Sequence, residues 1–213
     1  MRHPILVFLS LPCLALSLPA AEATLVWVQG RVERLAPDNV VSRLAKGGNL
    51  AVGDTVRTGE DGGALIELPD GSRLKLRESS TLKLAQLDAN AGERHTRLEL
   101  LGGAMFSKVS KLQLSDTFTL RAATAIAGVR GTEFFTSYGR KVAGAAAIDV
   151  WLCVNEGAVE VKGSDEKAAL VKAGEGLIVP EGRTVTKPKP NAWTNGLNWN
   201  MDPANGELRD RTR

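Results

Sequence analysis

Cysteine and histidine are almost absent from this sequence. It holds two residues of each type among 213, and Cys13 lies in an apolar N-terminal run. If that run is removed during export, Cys153 is left alone and cannot close an intramolecular disulfide. His95 is then the one remaining histidine, which is too few for the usual zinc sites. The composition therefore predicts neither a disulfide framework nor a metal or other cofactor.

Catalytic signatures are missing as well. No serine stands in a Gly-x-Ser-x-Gly pattern, and no glycine-rich loop ends in Gly-Lys-Ser or Gly-Lys-Thr. Cys153 lies inside the apolar run 150–154, so we expect a buried and unreactive thiol there. The sequence predicts a protein that is not an enzyme.

Neither sign of charge dominates. The chain has 27 basic and 24 acidic residues, a net charge of +3, and the two signs are mixed along most of its length. A surface for nucleic acid would show a clustered basic face. We therefore expect no nucleic-acid partner.

Long apolar runs are missing beyond the N-terminus. Met1–His3 supplies a short positive region, residues 5–18 are almost wholly apolar, and Ala21–Ala23 has a small-x-small cleavage pattern. These features predict a signal peptide over 1–23 and a periplasmic mature protein that starts at Thr24 and does not span the membrane. The alternative is an uncleaved transmembrane anchor, which needs about 20 apolar residues, more than this run provides.

Alternation of apolar and polar residues dominates the remaining chain. Residues 64–68 and 73–76 alternate on either side of Pro69–Ser72, a turn sequence, and together predict a β-hairpin. Glycine-rich breaks separate further predicted strands. These lie at 25–28, 81–84, 97–100, 104–109, 117–122, 133–138, 148–154, 158–162 and 177–179. The pattern predicts one all-β domain over 24–182, an antiparallel jelly-roll-like sandwich or barrel.

Two stretches need a separate interpretation. Gly102–Gly103 lies inside a strand pattern, where a β-bulge is the natural interpretation. The polar stretch 90–95, which contains His95, is expected to form a loop.

The C-terminal residues 183–213 differ in composition from the domain. Lys187–Pro190 has the sequence of an extended linker, because proline fixes φ and removes a hydrogen-bond donor. Trp193 and Trp199 follow it. Two hypotheses remain open: the tryptophans pack back on the domain, or the tail docks on a partner through them.

Six short glycine-punctuated segments occur in a recognisable order and spacing. They are Gly30–Val32, Leu50–Gly59, Ala64–Ser72, Leu98–Ala104, Ala127–Phe134 and Asn155–Val161. In this series the chain resembles the FecR domain family, from about Val26 to Val161 and more loosely to Pro180.

The resemblance implies a periplasmic all-β module with a jelly-roll-like double-sheet architecture. In the regulator that names the family, the domain passes a signal from an outer-membrane receptor to a cytoplasmic sigma factor. That regulator also has a cytoplasmic segment and a transmembrane helix, whereas this chain is expected to have a cleaved signal instead. We therefore expect a stand-alone module that works through an envelope or membrane protein, or through an envelope polymer.

The first candidate site is the segment from Gly53 to Gly59. Its glycines permit sharp turns, and Asp54 can accept hydrogen bonds from backbone amides two residues on. Thr58 and Arg57 complete the candidate set. The segment is either purely structural or a ligand-facing loop in which Arg57 contacts an anion.

The remaining candidate residues form a second set of two segments that the sequence gives no reason to join: Asp70 and Gly71 of the predicted hairpin turn, and Gly128, Arg130, Gly131 and Thr132 of a glycine-rich stretch. Arg130 lies between apolar neighbours. If it is buried, its charge requires a carboxylate partner, for which Glu133, Asp54 and Glu67 are the candidates. A structural ion pair and recognition of an acidic ligand or partner both remain open.

The sequence as a whole predicts a non-enzymatic module for binding and signal transduction. We expect protein–protein contacts through an exposed sheet edge or loop, aided by the C-terminal tail. The alternative function is binding of peptidoglycan or another cell-wall polysaccharide, since flat tryptophan faces can stack on sugar rings.

Overall fold

A computed structural model describes residues 21–90, 93–123, 125–129, 131–139 and 149–209. These residues form β-strands and three short 3₁₀ turns, which confirms the predicted all-β class. Residues 1–20 of the predicted signal peptide and the candidate Arg130 lie outside the described residues. No helix in the described ranges is long and apolar enough to cross a membrane.

The strands are β1 (Ala23–Gln29), β2 (Val32–Leu35), β3 (Val41–Arg43), β4 (Asn49–Leu50), β5 (Thr55–Thr58), β6 (Gly63–Glu67), β7 (Arg73–Leu76), β8 (Thr81–Asn90), β9 (Glu93–Lys108), β10 (Thr117–Ala122), β11 (Ala125–Val129), β12 (Glu133–Tyr138), β13 (Val150–Glu156), β14 (Ala158–Lys162), β15 (Ala168–Lys172), β16 (Glu175–Val179) and β17 (Lys189–Pro190). The 3₁₀ turns are Pro180–Gly182, Ala192–Gly196 and Pro203–Asn205.

Two sheets share the long strand β9. Sheet A has the order β4-β1-β6-β7-β9-β12-β13-β16-β17, with antiparallel pairs throughout. Sheet B has the order β3-β2-β5-β8-β9-β10-β11-β14-β15. The first half of β9 belongs to sheet B and the second half to sheet A, so one strand ties the two layers together.

β9 changes sheets next to Gly103. This residue has φ +90°, and a Cβ there would collide with Ser80. The register between β8 and β9 also shifts between Thr81 and Leu82, which is the bulge expected around Gly102–Gly103. Glycine is needed here because the chain bends while its neighbour stays close.

Two expectations about β9 were wrong. Residues 97–100 and 104–109 were predicted as separate strands, but the chain is continuous from Glu93 to Lys108. The stretch around His95 was predicted as a loop, yet it forms the first residues of this strand. Cross-strand pairing extends the β8–β9 hairpin to Asn90 opposite Glu93. The polar residues of this stretch therefore continue the strand although they form no apolar face that could be buried.

One strand pair departs from the predicted antiparallel arrangement. β10 runs parallel to the first half of β9, because residues 109–116 bring the chain back to the start of that strand. Asp116 fixes this return: its Oδ2 accepts from Arg94 Nη2 at 2.6 Å, and its Oδ1 accepts from the Arg94 backbone N–H at 3.0 Å. Hydrogen bonds from Arg94 and Gln113 lower the pKa of Asp116 to about 2.

The main core lies between the two sheets. Strand residues of sheet A that point inward include Leu25, Ile66 and Leu74, and those of sheet B include Leu82 and Leu98. All five are fully buried. At about 1.5–3 kcal/mol for each fully buried side chain of this size, such a layer is a large stabilising contribution.

Candidate functional site

A second apolar layer covers the outer face of sheet A. Six neighbouring strands form one continuous transverse row of Trp27, Leu65, Lys75, Phe106, Phe135 and Cys153, in which Lys75 is the one polar member. Leu65, Phe106 and Cys153 have no exposed surface. This row would face water if the sandwich ended at its two sheets.

The C-terminal residues 191–209, which we call the strap, cover this row. Leu197, Trp199 and Met201 alternate with polar residues, and their side chains pack on the row together with Leu208. The Trp199 ring meets Phe106 edge-on, with centroids 5.2 Å apart. Trp199 therefore packs within its own chain; docking of the tail on a partner stays a prediction, and the side chain of Trp193 is not among those described.

The polar residues of the strap hold its shape. Asn198 Oδ1 accepts from the Asn200 N–H at 3.0 Å, Asn200 Oδ1 accepts from the Asp202 N–H at 3.0 Å, and Asp202 Oδ1 accepts from the Ala204 N–H at 2.9 Å. Asn198 Nδ2 also donates to the Glu207 carbonyl at 2.8 Å. Short polar side chains that bond to nearby backbone are the usual way to fix a turn.

Two basic side chains of β7 attach the strap to the sheet. Lys75 is only 2% exposed. Its ammonium donates to the Asn200 carbonyl at 2.8 Å and to the Asn198 carbonyl, and it lies 4.2 Å from the centre of the Phe106 ring. Arg73 Nη1 donates to the Met201 carbonyl at 3.1 Å. The alternation of residues 73–76 gives no sign of this role, because it puts Lys75 opposite the apolar side of the hairpin.

Cys153 lies beneath the strap. Burial raises the pKa of its thiol to about 11. A thiol with this pKa is protonated at neutral pH and is a poor nucleophile. The arrangement supports a structural thiol and offers no reactive centre.

The first candidate segment forms strand β5 and the turn before it. Asp54 is 2% exposed, accepts from the Ala51 N–H at 2.9 Å and lies 3.6 Å from Arg34 Nη1. Thr58 Oγ1 donates to the Arg77 carbonyl at 2.6 Å. Arg57 is exposed on the outer face of sheet B.

The two glycines of this segment act in its turns. Gly53 has φ +91°, and a Cβ there would collide with Pro37. The Gly59 carbonyl accepts a hydrogen bond from the Ser79 N–H, and the Gly59 N–H donates to the Arg31 carbonyl at 2.8 Å. In the described contacts these groups hold the strand in place.

The second candidate set meets at residues 109–111, although its members are distant in sequence. In the hairpin turn, Asp70 Oδ1 accepts from the Ser72 N–H at 2.9 Å, and Gly71 has φ +80°. Ser72 Oγ in turn accepts from the Ser110 N–H at 3.0 Å. The Val109 N–H donates to the Thr132 carbonyl at 2.8 Å.

Gly131 lies beside Lys111 and Gly128 lies within β11, while Arg130 is outside the described residues. The carboxylates considered as partners for Arg130 have described partners of their own. Glu67 Oε2 lies 3.0 Å from Arg73, and Glu133 Oε2 accepts from Asn155 Nδ2 at 2.6 Å.

An open groove of about 520 Å³ adjoins this second set. One wall is the strap, and the other is formed by the hairpin turn and the end of β9. Its lining includes Gly71, Arg73, Lys108, Ser110, Trp199 and Asn205. Sequence reasoning named Gly71 and Trp199 separately, and only the fold brings them to one groove.

The outer face of sheet B has a different character. Arg57, Arg97 and Arg121 are exposed on it. Its last strand, β15, pairs with β14 alone among the described residues, and Leu170 at the centre of this strand is 54% exposed. Within the described ranges, no strand pairs with the outer edge of β15.

The FecR protein family model matches residues 54–160, half of the chain. The chain belongs to the FecR family. The match starts later than the resemblance from Val26 and ends before β15 and the strap. This membership indicates a regulatory role in signal transduction. Among curated proteins nothing matches the sequence.

Solved structures with this fold include two crystal structures of a proposed anti-sigma factor from Parabacteroides distasonis. They are 19% and 20% identical to the chain, each with a TM-score of 0.50. Both alignments cover 68% of this chain and 67% of the other. At this identity the similarity establishes the shared fold alone.

Proposed function

We propose that this FecR-family chain is an exported, non-enzymatic module that relays a signal by binding another protein of the cell envelope at strand β15. Family membership supports the regulatory part, and the apolar N-terminal run supports export to the periplasm. The observation that carries the proposal is the open edge of β15, in contrast to the outer face of sheet A, which the strap covers.

Backbone hydrogen bonds indicate which groups of β15 are available. The Gly163 N–H donates to the Lys167 carbonyl at 3.0 Å, and the Ala173 N–H donates to the Gly157 carbonyl at 3.0 Å. Bonded pairs alternate along an antiparallel ladder, so the backbone groups of Ala168, Leu170 and Lys172 point away from β14.

Side chains around the edge limit what can pair with it. The Lys172 N–H already donates to Glu175 Oε2 at 2.9 Å, which leaves Ala168 and Leu170 as the open positions. Lys167 and Lys172 are exposed at the two ends of the strand. Lysines at an edge disfavour pairing with a second copy, so an added strand with acidic residues at its ends fits better.

Site-specific crosslinking in intact cells tests this proposal. A photoreactive residue at Leu170 should give a discrete protein adduct. The matched control is the same residue at Leu114, which is 91% exposed but lies in the connection 109–116, away from the edge. Equal labelling from both positions, or none from Leu170, would refute binding at this edge.

A further inference from the structure

The groove between the strap and the end of sheet A has the size of a ligand site. Its volume is about 520 Å³, within the roughly 300–1,000 Å³ of typical small-molecule sites. Trp199 and Met201 supply apolar surface on the strap side, and Gly71 and Lys108 lie opposite.

The strap presents preorganised polar groups to this groove. Asp202 Oδ1 accepts from the Ala204 N–H at 2.9 Å, and its Oδ2 accepts from Asn205 Nδ2 at 3.2 Å. Asn200 is fixed by its bond to the Asp202 N–H. These bonds orient the amides of Asn200 and Asn205 before any ligand arrives, which lowers the entropic cost of binding.

The opposite wall carries groups with spare hydrogen-bonding capacity. Ser110 is held through its backbone N–H by Ser72, and its hydroxyl makes no hydrogen bond among the described residues. The ammonium of Lys108 lies 3.7 Å from Glu133 Oε1, and its side chain is 58% exposed. Both groups can therefore reorient toward a ligand.

The charges of the groove are nearly balanced. Arg73 is held by Glu67 at 3.0 Å and by the Met201 carbonyl. The other charged residues of the lining are Lys108, which is positive, and Asp202, which is negative. A strongly anionic ligand finds no cluster of free cations here. A wholly apolar ligand would give no hydrogen bond to the Asn205 amide oxygen or to the Ser110 hydroxyl, neither of which has a partner among the described hydrogen bonds.

We propose that this groove binds a short uncharged glycan that carries N-acetyl groups. Its hydroxyl and amide groups match Ser110, Asn200 and Asn205, while Trp199 and Met201 give apolar surface for a sugar face. This site is separate from the β15 edge, so either can fail without the other.

Calorimetric titration of the full chain with a chitooligosaccharide tests the site. Binding is expected, and an isomalto-oligosaccharide of equal length should bind at least about tenfold more weakly, because it lacks the acetamido carbonyl and N–H that the proposal pairs with the asparagine amides. Ser110→Ala and Asn205→Ala should each weaken chitooligosaccharide binding by about tenfold.

Matched control variants are Ser164→Ala in the β14–β15 turn and Asn195→Ala on the strap, since both residues are exposed and do not line the groove. They should bind as the unchanged protein does. No heat of binding with the chitooligosaccharide, equal affinity for both sugars, or equal losses in the control variants would overturn the proposal. Thermal melting of each variant separates lost binding from lost folding.

Discussion

The two outer faces of this sandwich differ in burial and in polarity. On sheet A, a transverse apolar row from Trp27 to Cys153 is sealed by the strap. On sheet B, the corresponding face carries exposed arginines, and its last strand is open. Sheet A thus carries a third layer, while sheet B has the wet outer face usual for antiparallel sheets.

The strands of the two sheets differ in sequence accordingly. In β12 five consecutive residues, from Glu133 to Ser137, are buried, because both faces of the strand are covered. In β14 only Val159 and Val161 are buried, and Glu160 between them is exposed. Strict alternation therefore marks the open sheet, and its loss marks the covered one.

The largest expected effect follows from removal of residues 192–213. Trp199, Met201 and Leu208 then leave the apolar row, and at about 1.5–3 kcal/mol each the free energy of unfolding should fall by roughly 5 kcal/mol or more. Thermal melting measures this, and the truncated protein should also bind a dye specific for exposed apolar surface. An unchanged melting temperature would show that the strap is not part of the fold.

Phe106→Ala should have the next largest effect. Phe106 is fully buried between Phe135, at 4.8 Å between ring centres, and Trp199. Its truncation should cost about 3–5 kcal/mol. Arg97→Ala on the outer face of sheet B is the control and should change stability by about 0.5 kcal/mol or less. If urea titration showed an equal loss of unfolding free energy for the two variants, the outer faces of sheets A and B would not differ in burial.

Lys75→Met should have a moderate effect. The substitution keeps the aliphatic stem but removes the donors to the Asn198 and Asn200 carbonyls, leaving these acceptors unpaired. A loss of about 1–3 kcal/mol is expected. In the variant, hydrogen exchange of the strap should be faster than in the unchanged protein, whereas exchange of β10 should stay the same. A gain in stability would mean that burial of the ammonium costs more than its hydrogen bonds contribute.

Asp116→Asn should give the smallest effect, and one that depends on pH. The pKa of Asp116 is lowered from its ordinary value of 3.8 to about 2, chiefly by Arg94. A depressed carboxyl pKa contributes stability above pH 3.8 that is lost as the pH falls toward 2. The unchanged protein and the variant should therefore differ at neutral pH and converge in acid. Glu160→Gln, at an exposed site on β14, should show no such convergence.

Much of the fold could be predicted because the signals are local. The hairpin of residues 64–76 follows from alternation and a Pro-Asp-Gly turn, and β10, β12 and β14 have the bounds expected from their patterns. The parallel pairing of β10 depends on where residues 109–116 return, a tertiary property that no short window contains.

The strap was harder to foresee for a physical reason. Leu197, Trp199 and Met201 alternate with Asn198, Asn200 and Asp202, but this segment is not a strand. The apolar residues of this segment pack on the sheet, whereas the polar residues alternating with them hydrogen-bond to the backbone of the strap itself. The buried role of Lys75 likewise depends on carbonyl groups more than 120 residues away in sequence.

Thiol labelling of the native protein tests the contrast between the two faces most directly. The comparison protein carries Arg97→Cys in a Cys153→Ala background. Cys153 should react at least about a hundredfold more slowly than this introduced cysteine, because labelling beneath the strap requires local opening and a deprotonated thiol. Removal of 192–213 should abolish most of that protection. Equal rates for the two cysteines in the intact chain would contradict the sealed face of sheet A.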